Sequence, residues 1–114
     1  MTALLVADDH GIVRAGLRML LERQPRMHVV AEAADGVEAV DLAQRELPRV
    51  AILDVSMPRM TGIQAAREIK ARAPGVQVVL LSMHDDERYV FDALQAGASG
   101  YVLKRAADLS LIHI

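Results

Sequence analysis

Apolar and polar positions alternate along this chain with two periods, one of strands and one of helices. Ala3-Leu4-Leu5-Val6-Ala7 is a short continuous apolar run, the pattern of a strand buried on both faces. Val13, Leu17, Leu20 and Leu21 then recur on one face of a helix. Pro25 ends that helix, because the residue before a proline avoids the helical region. His28-Val29-Val30-Ala31 predicts a second strand. Val37, Val40, Ala43 and Leu47 predict a second helix, stopped by Pro48, and Val50-Ala51-Ile52-Leu53 a third strand. Ile63, Ala66, Ile69 and Ala73 predict a third helix, stopped by Pro74-Gly75, and Val76 to Leu81 a fourth strand. Val90, Ala93 and Leu94 face inward from a fourth helix that Gly97 can cap, and Tyr101-Val102-Leu103 is a fifth strand.

The order is therefore βαβαβαβαβ with something short after it. Helices between short buried strands require a parallel sheet, and right-handed crossovers put those helices on both of its faces. The chain has 114 residues, which reads as a single domain spanning residues 1–114 with room for one core. With 53% apolar and 25% charged residues it is no disordered segment. No apolar run approaches the length of a membrane span and no secretory signal is visible, so a cytoplasmic location without membrane contact is expected. Cysteine is absent, which removes disulfides, thiolate metal sites and cysteine catalysis. The net charge is −2, the arginines are scattered, and Tyr89, Phe91 and Tyr101 form no stacking platform. Direct nucleic-acid binding by this domain is therefore not expected.

Ligands of open parallel sheets bind outside the carboxyl ends of the strands, where the strand order reverses. Asp8-Asp9 follows the first strand, Asp54 the third, Ser82 the fourth and Lys104 the fifth, whereas the second is followed by Ala33-Ala34 and only then Asp35. If the order is 2-1-3-4-5, the second strand is an edge, and Asp8, Asp9 and Asp54 meet at the reversal. Each residue alone has an ordinary explanation. Asp9 can cap the first helix, bind a metal, or both; an Asp at a strand end often forms a turn; Ser82 can be a loop residue and Lys104 a solvated charge. Their common position at one edge of one sheet is what those explanations leave out. Three crowded carboxylates repel unless a cation joins them, and oxygen ligands with no cysteine or obvious histidine partner favour a hard ion such as Mg²⁺.

The motifs Asp8-Asp9-His10, Asp54-Val55-Ser56-Met57-Pro58 with Gly62, Leu81-Ser82 and Gly100-Tyr101-Val102-Leu103-Lys104 resemble those of a bacterial response-regulator receiver domain. Val13-Arg14-Ala15-Gly16-Leu17 and Ala96-Gly97-Ala98-Ser99-Gly100-Tyr101 resemble the NarL/FixJ-type (LuxR-type regulator) subfamily. The resemblance reaches to about Asp108. It implies a flavodoxin-like, doubly wound five-stranded parallel sheet and phosphoryl transfer from a partner histidine kinase to an aspartate, switching an output such as transcription. By the same resemblance Asp54 is the phosphoacceptor, and Asp8, Asp9, Asp54 and the backbone carbonyl of Ser56 hold Mg²⁺. Lys104 pairs with phosphoryl oxygen, Ser82 is the hydroxyl that turns toward it, and Tyr101 is the switch aromatic. Self-phosphorylation from a donor and self-dephosphorylation are expected, not turnover of a substrate. Homodimerisation and a helix-turn-helix DNA-binding domain beyond this chain are also expected.

The chemistry suits these residue types in its own right. A carboxylate attacking phosphorus needs alignment and charge neutralisation more than covalent help. Ser82 can donate to a phosphoryl oxygen only after that group is attached, and such a differential contact can bias a two-state equilibrium. The sequence also departs from the family pattern. Ser stands at position 82 where Thr is commoner, and Arg105 where many receivers have proline. His84 beside Asp85-Asp86 reads as a solvated loop residue. Ala106 to Ile114 is shorter than a full last helix, and Leu109 to Ile114 lacks a polar face. A flavodoxin-type nucleotide binder is disfavoured by Asp8-Asp9, which repels phosphate. A Mg²⁺-dependent hydrolase is disfavoured because Asp54-Val55-Ser56 lacks a second carboxylate as acid or base. A phosphate-independent interaction module is the remaining alternative.

Overall fold

A computed structural model describes residues 2–82 and 100–103, the last three and Ser82 as backbone. Its elements are β1 (Thr2–Ala7), α1 (Gly11–Glu22), β2 (Met27–Ala33), α2 (Gly36–Glu46), β3 (Val50–Asp54), α3 (Gly62–Arg72), β4 (Gln77–Ser82) and β5 (Gly100–Leu103). All strand pairs are parallel, and the order across the sheet is β2-β1-β3-β4-β5. The chain steps from β1 outward to β2, then returns to the other side of β1 to lay down β3, so the order reverses between β1 and β3. The fourth helix expected around Val90 to Leu94, together with Gly97, His84, Lys104 and the tail from 105 to 114, lies outside the described residues.

Because side chains of a strand alternate between faces, each buried strand feeds two cores. Leu4 and Val6 of β1 and Val50 and Ile52 of β3 pack with Leu17 and Leu21 of α1. Leu5 and Ala7, with Ala51 and Leu53, pack with Ala39, Val40 and Ala43 of α2 and Ala65, Ala66 and Ile69 of α3. The continuous apolar runs of β1 and β3 follow from this double coverage. The alanines of α2 and α3 let both helices lie close to the sheet and to each other.

Three expected core positions are displaced. Val13 is exposed, because it sits in the first turn of α1, past the carboxyl end of β1. Val37 is likewise exposed, and α2 instead buries Ala39, Val40 and Ala43. Leu47 is 65% exposed and takes the left-handed conformation as the C-cap of α2, at φ 44°. It precedes Pro48, which disfavours the right-handed helical region, so the chain turns and the side chain leaves the helix face. The other helix starts are well formed. The Asp35 carboxylate accepts from the Glu38 amide at 2.8 Å, and Thr61 and Gln64 form a reciprocal capping box.

Candidate functional site

The parallel register of β1 and β3 sets Ala7 opposite Leu53. The next residue of each strand is an aspartate, so Asp8 and Asp54 emerge side by side at the reversal point. Both are buried, at 0% and 3% exposure. Their backbones are fixed from both sides: the Asp8 amide donates to the Ala33 carbonyl of β2 at 3.0 Å, and the Val55 amide to the Leu81 carbonyl of β4 at 2.9 Å. Asp9 follows in the open. One ligand atom from each of Asp8, Asp9, His10 and Asp54 lies within 4.8 Å of the others.

The loops that carry these groups are held by their own polar atoms. The His10 amide donates to Asp8 Oδ1 at 2.9 Å, closing a tight turn after β1. The Ser56 amide donates to Asp54 Oδ1 at 3.3 Å in the same manner after β3. The Gly62 amide returns to the Val55 carbonyl at 2.9 Å, closing the loop between β3 and α3. At Gly62 a Cβ would stand 2.2 Å from the Asp54 carbonyl oxygen, so only glycine permits this approach. On the other side, Arg14 donates from Nη1 to the Asp8 carbonyl at 2.6 Å and from Nε to Glu32 at 3.2 Å, tying α1 to β1 and β2.

Two like unit charges at the 4.8 Å outer limit of this cluster would repel by about 3.5 kcal/mol at an effective dielectric of about 20. Three carboxylates this close together favour nearby positive charge. Their oxygens suit a hard divalent cation, and the open position of Asp9 leaves a way in for it. The sequence offers no obvious histidine partner for the carboxylates, yet His10 belongs to the cluster: Nδ1 lies 3.0 Å from Asp9 Oδ1 and 3.3 Å from Asp8 Oδ1. Its adjacency to Asp8-Asp9 was the available signal. His10, not Asp9, is the N-cap residue of α1, and its side chain makes no capping bond.

Ser56 lies in the loop just after Asp54, with its side chain exposed. Ser82 ends β4 in register with Leu103, and Tyr101 lies in β5 in register with Leu80. Their side chains, and the whole of Lys104, lie outside the described residues. Arg14, quoted above only within a subfamily motif, and Arg59, which no motif singled out, are described cations close in sequence to the site loops.

A profile of the response regulator receiver domain matches residues 4–114. The transcriptional regulatory protein DegU of Brevibacillus brevis is 43% identical over 110 residues, covering 96% of this chain and 47% of that protein. The oxygen regulatory protein NreC of Staphylococcus epidermidis is 46% identical over 110 residues, covering 96% of this chain and 50% of its own length. The chain thus spans about half the length of the curated relatives it matches. Among solved structures, the signal receiver domain of NarL from Mycobacterium tuberculosis superposes with a TM-score of 0.94 at 37% identity, covering 98% of this chain and 90% of that one.

Proposed function

Since the chain belongs to the response regulator receiver domain family, we infer that it accepts a phosphoryl group on Asp54 and works as the phosphoacceptor half of a two-component signalling pair. Response regulators are signalling proteins rather than turnover enzymes. The observation that carries the reading is the convergence of the Asp8, Asp9 and Asp54 carboxylates at the carboxyl ends of adjacent strands.

In the proposed reaction a carboxylate oxygen of Asp54 attacks the phosphorus of a phosphohistidine on a sensor kinase. The new O–P bond makes an acyl phosphate, the P–N bond breaks, and the electron pair returns to the kinase imidazole. Burial of Asp54 and its hydrogen bond from the Ser56 amide orient the nucleophile, and positioning together with charge neutralisation makes up most of such catalysis. The carboxylates of Asp8, Asp9 and Asp54 and the backbone carbonyl of Ser56 would hold Mg²⁺. When bound, that ion supplies positive charge to the crowded phosphoryl oxygens. Lys104 is proposed to pair with the phosphoryl group, and the Ser82 hydroxyl to donate to it once attached, with Tyr101 following as the switch aromatic. The partners on this reading are a histidine kinase and a second copy of the chain, in the cytoplasm. DNA would be contacted through a helix-turn-helix domain outside this chain, in keeping with the transcriptional regulator among its relatives.

The test is incubation with acetyl phosphate in the presence of Mg²⁺ or of a chelator, read by intact mass. One added phosphoryl group with Mg²⁺, and none with the chelator or in Asp54→Ala, supports the reading. A phosphoryl group gained equally by Asp54→Ala contradicts it.

A further inference from the structure

The segment from Ser56 to Thr61 follows the proposed acceptor and carries the Ser56 carbonyl. Its middle is anchored to an element that the proposed chemistry does not involve, the start of α2. Arg59 has φ 68°, a left-handed conformation that an arginine adopts at a cost. Its guanidinium donates from Nη1 to Asp35 Oδ2 at 3.3 Å. The other oxygen of that carboxylate caps α2 through the Glu38 amide at 2.8 Å. Beside this pair Met60 presses on Gly36: a Cβ at position 36 would lie 2.1 Å from the Met60 carbonyl oxygen. Two glycine contacts therefore hold the second half of the segment, Gly36 against Met60 within it and Gly62, just after it, against Asp54. Asp35 is 9% exposed, so the carboxylate that receives Arg59 is itself held in place.

We propose that the Asp35–Arg59 ion pair is a latch that holds the β3–α3 loop for cation binding, making both residues positioning residues for the Asp54 site. The latch acts through the loop backbone and not through charge at the site. It rests on the reading of the Ser56 carbonyl and the three carboxylates as Mg²⁺ ligands. Direct electrostatics predicts a different pattern: losing the acid at 35 would weaken Mg²⁺ binding, and losing the base at 59 would strengthen it. The latch predicts that both losses weaken it.

Asp35→Asn keeps a side chain that caps a helix well, and Arg59→Asn keeps one that tolerates the left-handed conformation. Mg²⁺ titrations followed by amide chemical shifts compare these variants, their double variant and Arg59→Lys with the wild type. Each single Asn variant should weaken Mg²⁺ binding roughly two- to fivefold, the scale on which a partly exposed ion pair acts. The double variant should be no worse than either single one, and Arg59→Lys should recover most of the affinity. Hydrogen exchange on the metal-free protein gives a second readout: both Asn variants should speed exchange at the amides of Ser56 and Met60. Tighter binding in Arg59→Asn, or unchanged exchange in both variants, overturns the latch. A wild type that binds no Mg²⁺ overturns the site reading instead, and the exchange rates then still decide the latch.

Discussion

Adding one methyl group to a glycine should have opposite effects at positions 62 and 16. At Gly62, the first residue of α3, a Cβ would come within 2.2 Å of the Asp54 carbonyl oxygen, 2.8 Å of its carbon and 2.9 Å of Val55 Cα. All three are backbone atoms, so no side chain can swing away. The helix must move by about 1 Å to restore a tolerable contact, and overpacking of this sort costs about 1–3 kcal/mol. The gain from replacing glycine in a helix, at most about 1 kcal/mol, offsets only part of this. At Gly16, mid-helix in α1, a Cβ meets nothing within 4 Å, and Gly16→Ala should stabilise by about 0.4–1 kcal/mol. For a domain of 114 residues each kcal/mol moves the melting temperature by about 4 °C. Urea and thermal unfolding should therefore place Gly62→Ala below and Gly16→Ala above the wild type. Because the strained contact is with Asp54 itself, Gly62→Ala should also slow phosphorylation by acetyl phosphate by about tenfold or more, while Gly16→Ala leaves the rate unchanged. A Gly62→Ala variant with wild-type stability and rate would refute the close approach as the reason for glycine there.

Two further outcomes follow from the helix ends and the surface pairs. Thr61→Ala removes the side chain that accepts from the Gln64 amide at 3.2 Å and should cost about 1 kcal/mol in urea unfolding, whereas Thr61→Ser should cost little. The carboxyl of Glu22 is held below its ordinary range, first by the hydrogen bond from Arg18 and against a smaller opposing effect of burial. A folded-state value below the unfolded one gives stability that is present above the unfolded value and is lost as pH falls through the folded one. Glu22→Gln should therefore be less stable than wild type near neutrality, with the gap closing in acid. A gap that does not narrow would contradict the sign.

The alternation of periods made the sheet and its helices legible, because a strand covered on both faces must be apolar throughout, as β1 and β3 are. The carboxylates were legible for a related reason: in a parallel sheet the residue after a strand has few places to go, and Asp8 and Asp54 each end a run. Helix phase was less so. Val40 and Ala43 are buried as their spacing predicts, but Val37 and Leu47 carry as much apolar surface as Val40, and the choice of Ala39 for the inner face reflects how closely α2 and α3 pack, which no single helix records. The Asp35–Arg59 pair joins residues 24 positions apart across two loops, and the conformation of Arg59 is imposed by the fold against its own preference. His10 stands beside two acids in the sequence, but that its ring lies back over both carboxylates follows from the turn at Asp8, which adjacency alone does not record.

The measurement that bears most directly on the account is chemical trapping of the phosphorylated residue. After acetyl phosphate and Mg²⁺, borohydride reduces an acyl phosphate to the alcohol, so an aspartyl phosphate leaves homoserine in the chain. Peptide mapping should find homoserine at position 54 and at no other aspartate. Homoserine at position 8 or 9, or a phosphoryl group that survives the treatment on a serine, histidine or lysine, would contradict Asp54 as the acceptor.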